Sequence, residues 1–381
     1  MKKILVIVFS NLKHDARVMR HVNFLKDEYE VTVACLNAPP TDQFKVVKLP
    51  PQKLTLFKKL VSGSLLLTHF YSIAHNILYP YQSFSKQFVK ENFDLIVAND
   101  VETLPLAFAF SGSKTKVLFD AHEYAPRHFE NVLTWRIFFQ SFNIYLCNKY
   151  IPKIQGMVTV GRKIAEEYFK HFGVMPEVIT NAPAYREFKT RWVEQPIKLV
   201  HHGIGTPSRK IEIMIEMMRI LPDHFTLDLV LMTPPSASAQ TKAYLGELKT
   251  LAQFTKRIKF LQPVPVEEIL PLINQYDVGL IIIPPINFNY ANGLPNKFFD
   301  YIQARVALAI GPTPEMAEIV NQYSLGVVSE DFSPKALANK VRDLSPEQIQ
   351  TFKNNAALAA HEQSAEKNRS NLLRIVRNIL A

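Results

Sequence analysis

The feature that most constrains this chain is a regular alternation of short apolar runs with segments of helical period. KKILVIVF, at the start, is a continuous apolar run, as a parallel strand requires when both its faces are buried. VTVACL (31–36), FDLIVAND, KVLFDAHE, GMVTVG and PEVITN continue the series. Amphipathic patterns lie between them; the first is capped by Asp15 and runs to about Lys26, with Val18, Val22 and Leu25 inward. NAPAYREFKTRWVEQP then breaks the rhythm with two prolines and little periodicity, which predicts a linker over 183–196. Alternation restarts with IKLVHHG, LDLVLM, RIKFLQP, VGLIII, VALAIG and GVV as strands and RKIEIMIEMMRIL as the first helix. The expected architecture is α/β: two Rossmann-like doubly wound domains, 1–182 and 197–360, facing each other across a cleft. In such sheets ligands bind beyond the carboxyl ends of the strands, which selects the loops worth reading.

Composition narrows the function classes. A chain of 381 residues is too long for one ordinary domain, and 48% hydrophobic with 20% charged residues can fill two cores. Cys35 and Cys147 are too few for a disulfide framework and sit in apolar contexts, so inert core thiols and a reducing cytoplasm are expected. Charges return at Lys13, Asp15 and Arg17 with no cleavage site, so the N-terminal apolar run is read as a strand rather than a leader. The formal charge of +10 favours phosphorylated small molecules or anionic lipid. Nucleic acid is excluded because no Lys/Arg stripe with interleaved aromatics is present.

One stretch departs from the pattern. Residues 53–90 are rich in Leu, Phe and Tyr, with Lys at both ends and no formal charge from Leu60 to Ser85. Recurrent Ser, Thr, Asn, His, Gly and Pro argue against a transmembrane span. Two readings stay open: a helical hairpin over the sheet, or a basic and aromatic surface at an anionic membrane interface. The second would make the protein peripheral on the inner face of the cell membrane.

The second half offers anion-binding chemistry. NGLPNKFFDYIQA (292–304) reads as a loop opening a helix, with Pro295 at its first position. A helix start presents unpaired amides and partial positive charge. Asn292 precedes it, Gly293 and Leu294 bring backbone close, Lys297 adds a cation, and Asp300 could accept bonds from a vicinal diol. Phosphate at one end and a diol at the other describe a nucleotide or nucleotide sugar. HHGIGTPSRKIE is read as a second element, a loop of His201, His202, Gly203 and Gly205 followed by Arg209 and Lys210 in a helix's first turn. Cations there oppose the helix dipole unless an anion compensates, which points to a diphosphate. His201 and His202 are read as packed or hydrogen-bonded strand-end residues, and no metal-spaced cluster exists. In the first half, Asp120, His122 and Glu123 crowd a strand end: His122 could donate to a developing oxyanion and Glu123 accept a proton. Asp100 holds the equivalent place after an earlier strand, and His14, Asp15 and Arg17 border the first loop.

Taken together these segments resemble a retaining GT-B glycosyltransferase of family four, which includes many bacterial polysaccharide and glycolipid enzymes. FSNLKHDARVMRHVNFLKDEYEVTV is similar to the family's opening strand, loop and helix, FDAHE to its D-x-H-E turn, and VITNAPAYREF to the entry to its linker. VHHGIGTPSRKIEIMIEMM and NGLPNKFFDYIQARVALAIGPTPEMAEIV resemble its diphosphate and signature segments, and HEQSAEKNRSNLL its terminal helix, here 361–381, returning to the first domain. The resemblance implies a hexosyl- or N-acetylhexosaminyl-transferase whose first domain binds a lipid-linked or saccharide acceptor through His14, Asp15, Arg17 and Asp100. The nucleotide sugar, a co-substrate, would lie on the second domain, with no cofactor and no metal. Arg209, helped by Lys297, would hold the diphosphate, with Gly203, Gly205, Gly293 and Leu294 around it and Asp300 on the ribose. His122, Glu123 and Asn292 would serve catalysis.

The chain also departs from that family. Asn292 stands where the first glutamate of the E-x7-E motif belongs, SNLKHD lacks the usual glycines, and Ile204 and Gly205 occupy the place of a diphosphate-binding arginine. Two further readings therefore stay open. One is a degenerate GT-B protein that binds nucleotide sugar or a partner transferase without catalysis; the other is a sugar-nucleotide epimerase.

Overall fold

The computed structural model describes residues 1–51, 54–233 and 237–381; Lys53, at the head of the Leu- and aromatic-rich stretch, lies outside them. The chain forms two compact units. The first comprises Met1–Thr180, Asn287–Asn289 and Asn368–Ala381, the second Asn181–Ile286 and Tyr290–Lys367.

Among the described residues, the first unit holds seven strands: β1 (Lys3–Ile7), β2 (Glu30–Cys35), β3 (Lys45–Lys48), β4 (Leu95–Asn99), β5 (Lys116–Ala121), β6 (Gly156–Thr159) and β7 (Glu177–Val178). Their order is β3-β2-β1-β4-β5-β6-β7, and every pair is parallel. Side chains alternate across this sheet, so both faces need a core. Leu5, Ile7, Ile96 and Phe119 enter one core, and Ile4, Val6, Val97 and Leu118 the other. The helix α1 (Ala16–Leu25) covers the second face with Val18, Val22 and Leu25, joined by Leu372, Leu373 and Val376 of the helix Ala365–Leu380. The first face is closed partly by α2 (Leu56–Leu67), α3 (Tyr71–Leu78) and the helix Ser85–Glu91, through Leu66, Tyr71, Ala74, Leu78 and Phe88. The stretch 53–90 is thus largely helical cover. Among the described residues no helix is long and apolar enough to cross a membrane.

The second unit repeats the plan with β8 (Ile197–Ile204), β9 (Phe225–Met232), β10 (Ile258–Leu261), β11 (Val278–Ile281), β12 (Ala307–Ile310) and β13 (Gly326–Val328). The order is β10-β9-β8-β11-β12-β13, again all parallel. Leu199, Leu227 and Leu280 point to one core; Val200, Val230 and Ile281 point to the other. In both sheets the order reverses beside the first strand, β1 or β8, the switch point where such folds take ligands.

Four local expectations are corrected. KVVK forms an edge strand, β3, that the apolar-run criterion passes over because two of its four residues are lysines. The strand expected over IKLVHHG is β8, which runs to Ile204, so His201, His202 and Gly203 belong to it and not to the loop also drawn there. Arg209 does not open a helix: it ends a 3-10 turn, Lys210 takes a left-handed φ of 51°, and the helix is only Glu212–Met217. Pro295 caps the helix Asn296–Gln303 from outside, at φ −69° and ψ 147°, so Asn296 is its first residue.

Candidate functional site

In the first unit, the carboxyl ends of β1, β4 and β5 carry a network centred on Asp120, which is fully buried. Arg17, in the first turn of α1, meets it with Nε (3.2 and 3.1 Å) and Nη2 (2.7 Å) and donates Nη1 to the Ile179 carbonyl at 2.6 Å. Nδ1 of His21 lies 2.9 Å from the same carboxylate. Burial would raise the Asp120 pKa, but Arg17, His21 and His122 outweigh it and hold the carboxyl well below its usual range. His21 is lowered, chiefly by burial.

His122 follows β5 with Nδ1 3.4 Å from Asp100 and Nε2 3.7 Å from Asp120. Burial lowers its pKa, yet the two carboxylates prevail and bring it up to about 9. At neutral pH it is therefore an imidazolium, a donor rather than a base. Asp100 is held at φ 65° and ψ 153°, which a non-glycine residue reaches only under strain. Beside it Nε2 of His128 meets Glu123 at 3.0 Å, and a cavity of about 50 Å³ is lined by Asp100, Glu102, Phe119, Glu123, His128 and Tyr168.

In the second unit the cluster forms at the end of β8. Lys297, in the first turn of Asn296–Gln303, is buried, and its Nζ lies 3.2 Å from Nε2 of His201. The other ring nitrogen of His201 is 2.8 Å from the Leu280 carbonyl. That carbonyl can only accept, so Nδ1 carries the proton and Nε2 accepts from the lysine. Burial first, then Lys297, keeps His201 neutral, well below its usual pKa. Gly203 makes room for the amine: at φ +132° it adopts a conformation that side chains rarely allow, and a Cβ there would sit 3.0 Å from Nζ. Burial and then Arg209 depress the Lys297 pKa to about 7, with Asp300 opposing. Arg209 lies over the Tyr290 ring at 5.2 Å. Asp300, one turn along the helix, is 3.5 Å from Nε2 of His202, whose pKa burial pulls down to about 3. Phe298 N–H bonds back to Pro295, which leaves the amides of Asn296 and Lys297 at the helix mouth.

The expected residues divide accordingly. Asp100, His122 and Glu123 come together, as do Gly203, Arg209, Lys297 and Asp300. Asn292 ends the short helix Phe288–Asn292 and, like Gly293, is half-buried, while the Leu294 side chain belongs to the core. The Gly205 amide is bonded to the Met232 carbonyl at 3.0 Å and is not free for phosphate. His14 is exposed. Asp15 caps α1, accepting from Val18 N–H at 3.1 Å and Ser10 Oγ at 2.7 Å. Arg17 is buried, with its guanidinium on Asp120 and the Ile179 carbonyl. Sequence reading missed His21 and the link from His201 to Lys297. Among the described residues no group of three or more His, Cys, Asp or Glu could hold a metal ion.

No protein-family model matches the chain, and no curated protein matches it. Solved structures do. HepE from Anabaena in complex with UDP and glucose is 16% identical, with a TM-score of 0.68, covering 99% of this chain and 100% of its own. A UDP-forming α,α-trehalose-phosphate synthase from Burkholderia xenovorans is 11% identical, with a TM-score of 0.72 and full coverage of both chains. Sucrose-phosphate synthase from Thermosynechococcus elongatus is 12% identical, with a TM-score of 0.71, covering 100% of this chain and 99% of its own. At such identities the likeness establishes the fold, GT-B.

Proposed function

We propose that this protein is a glycosyltransferase that moves a hexosyl or N-acetylhexosaminyl group from a nucleotide sugar to a lipid-linked or saccharide acceptor. The observation that carries the proposal is the buried Lys297 amine, lodged over Gly203 on a neutral histidine, with Arg209 near and Asp300 a turn away. Solved structures of the same fold hold UDP with glucose, or UDP-glucose.

The donor diphosphate would lie at the mouth of Asn296–Gln303, against its free amides, Arg209 and Lys297. Its charge would draw a proton onto Lys297, so the cation is completed by the ligand it serves. Asp300 would accept bonds from the ribose hydroxyls. As the anomeric carbon–oxygen bond breaks, its electron pair leaves with the nucleoside diphosphate, and the two cations stabilise that charge. The acceptor oxygen bonds the anomeric carbon and loses its proton, for which Glu123 is the base we assign. His122, as imidazolium, would donate to the transferred sugar. Retention of configuration and independence of metal enter from the family resemblance, as does the role of Asn292 at the sugar.

Asn292 also favours a second reading, binding without transfer, because it lacks the charge of a glutamate. A thermal-shift screen of nucleoside diphosphates and their sugars should show stabilisation. Supplying acceptor should then release nucleoside diphosphate. Stabilisation without release under any acceptor would select the second reading, and interconversion of donor sugars with no acceptor would show an epimerase.

A further inference from the structure

The first unit carries an apolar face that its own fold does not cover. From Thr55 to Leu60 every residue is exposed, so the first turns of α2 stand clear of the protein. Leu56, Phe57 and Leu60 are 74, 75 and 65% exposed. Leu67 continues their stripe, and Phe70 and Ile73 extend it onto α3; all three are exposed. A second segment joins from far along the chain. A Cβ on Gly63 would meet the Phe138 ring at 3.4 Å, so α2 abuts the turn Arg136–Gln140, where Ile137 is exposed just after the exposed Leu133. Scattered exposed leucines need no explanation, but a contiguous patch does.

The two chain segments that form this patch carry charge of one sign. Residues 43–90 and 131–165 contain no Asp or Glu, whereas Lys58, Lys59, Arg136, Lys149 and Lys153 lie within them. Among the described residues the hydrogen-bond partners of Lys149 are neutral, Tyr145 Oη at 2.8 Å and Ser72 Oγ at 3.3 Å. It flanks a cavity of about 370 Å³ whose lining includes Ser72, His75, Asn76, Phe108, Tyr145 and Tyr150. His75 is 2% exposed, and its Nδ1 has no hydrogen-bond partner among the described residues. Apolar side chains beside cations that, among the described residues, meet no carboxylate, with a cavity of mixed polar and apolar lining alongside, suit a surface that is oily below and anionic above. A second copy of the chain fits less well, since a two-fold contact through this face sets basic groups against basic groups.

We infer that this face docks on an anionic phospholipid bilayer. The first turns of α2, with Leu133 and Ile137, enter the headgroup layer, and Lys149 takes a lipid phosphate at the mouth of the cavity. The inference is independent of the donor chemistry proposed above. Co-sedimentation with vesicles of phosphatidylglycerol and phosphatidylcholine tests it against vesicles of phosphatidylcholine alone. The protein should bind the anionic vesicles and be released by high salt. The double variant F57S/L60S should lose at least about tenfold in vesicle affinity, and K149Q a smaller factor, with thermal stability and response to UDP unchanged. Equal binding to neutral vesicles, no binding at all, or full binding by F57S/L60S would overturn the inference. So would a vesicle-free dimer that F57S/L60S dissociates. Unaltered binding of K149Q would overturn the phosphate contact.

Discussion

The two sheets place polar side chains at equivalent ends and treat charge in opposite ways. In the first unit the buried Asp120 is met by Arg17 at 2.7 Å, with His21 and His122 beside it, so opposite charges answer one another inside the fold. In the second, the buried Lys297 is bonded to a neutral imidazole, and burial and Arg209 have driven its pKa down to about 7. Among the described residues no carboxylate lies within ion-pair distance of it. An ion pair completed from within gains nothing from a ligand. A buried amine pressed toward neutrality gains a great deal from an anion. The first cluster is therefore a framework that fixes His122, and under the proposed function the second is the receptor.

The largest effects should separate framework from receptor. Asp120→Ala strands a buried guanidinium and should cost about 3–5 kcal/mol in chemical denaturation. Lys297→Met removes a buried, destabilised cation and should leave stability unchanged or raised, while weakening UDP at least about tenfold. Equal losses of stability in the two variants would break the comparison.

Titration should expose the same contrast with opposite signs. His122 rises from 6.5 to about 9 on folding, so its contribution is complete below pH 6.5 and is lost as pH climbs through 9. Lys297 falls from 10.5 to about 7, so the unfolded chain binds the extra proton between those values and stability rises with pH across that window. Denaturation between pH 7 and 10 should show H122N closing its gap to the unmodified protein and K297M losing any advantage. Diphosphate binding at pH 8 should take up close to ~1 proton, seen by calorimetry in buffers of different ionisation heat, and affinity should fall by up to about tenfold per pH unit above 7. Uptake near zero would mean that Lys297 does not meet the phosphate.

Much of the fold was legible because buried parallel strands are long enough apolar runs to announce themselves, and all six strands of the second unit were read from such runs. What escaped was local or long-range. The edge strand β3 has lysines at both ends, and the helix after β8 shortened because Lys210 turns left-handed. The sites were legible in their residue types and not in their partnerships. Arg17 and Asp120 are 103 residues apart, and His201 and Lys297 are 96 apart, so no spacing rule connects them. From the sequence Asp120 is one of three polar residues crowding a strand end; only the folded chain shows that α1 delivers a guanidinium and an imidazole to it.

A smaller substitution sharpens the receptor side. Gly203→Ala would bring a methyl group to 3.0 Å from the Lys297 amine at a φ of +132°. Backbone strain of about 1–3 kcal/mol is expected. Because the amine is displaced as well, UDP affinity should fall in G203A, whereas a change confined to melting temperature would mean the glycine serves the backbone alone.

The smallest effect concerns Asp15, where framework and ligand roles are hardest to tell apart. Its carboxylate accepts from Val18 N–H and Ser10 Oγ, which satisfies α1 at its start. Asp15→Ser keeps an oxygen for the Val18 amide and removes the charge, so stability should change by only a few tenths of a kcal/mol, while Asp15→Ala should lose about 1 kcal/mol. If the residue is only a cap, D15S transfers sugar at the unmodified rate. If its charge also holds an acceptor hydroxyl, D15S raises the acceptor KM at unchanged stability, and Asp15 then joins the ligand-binding groups of the first unit.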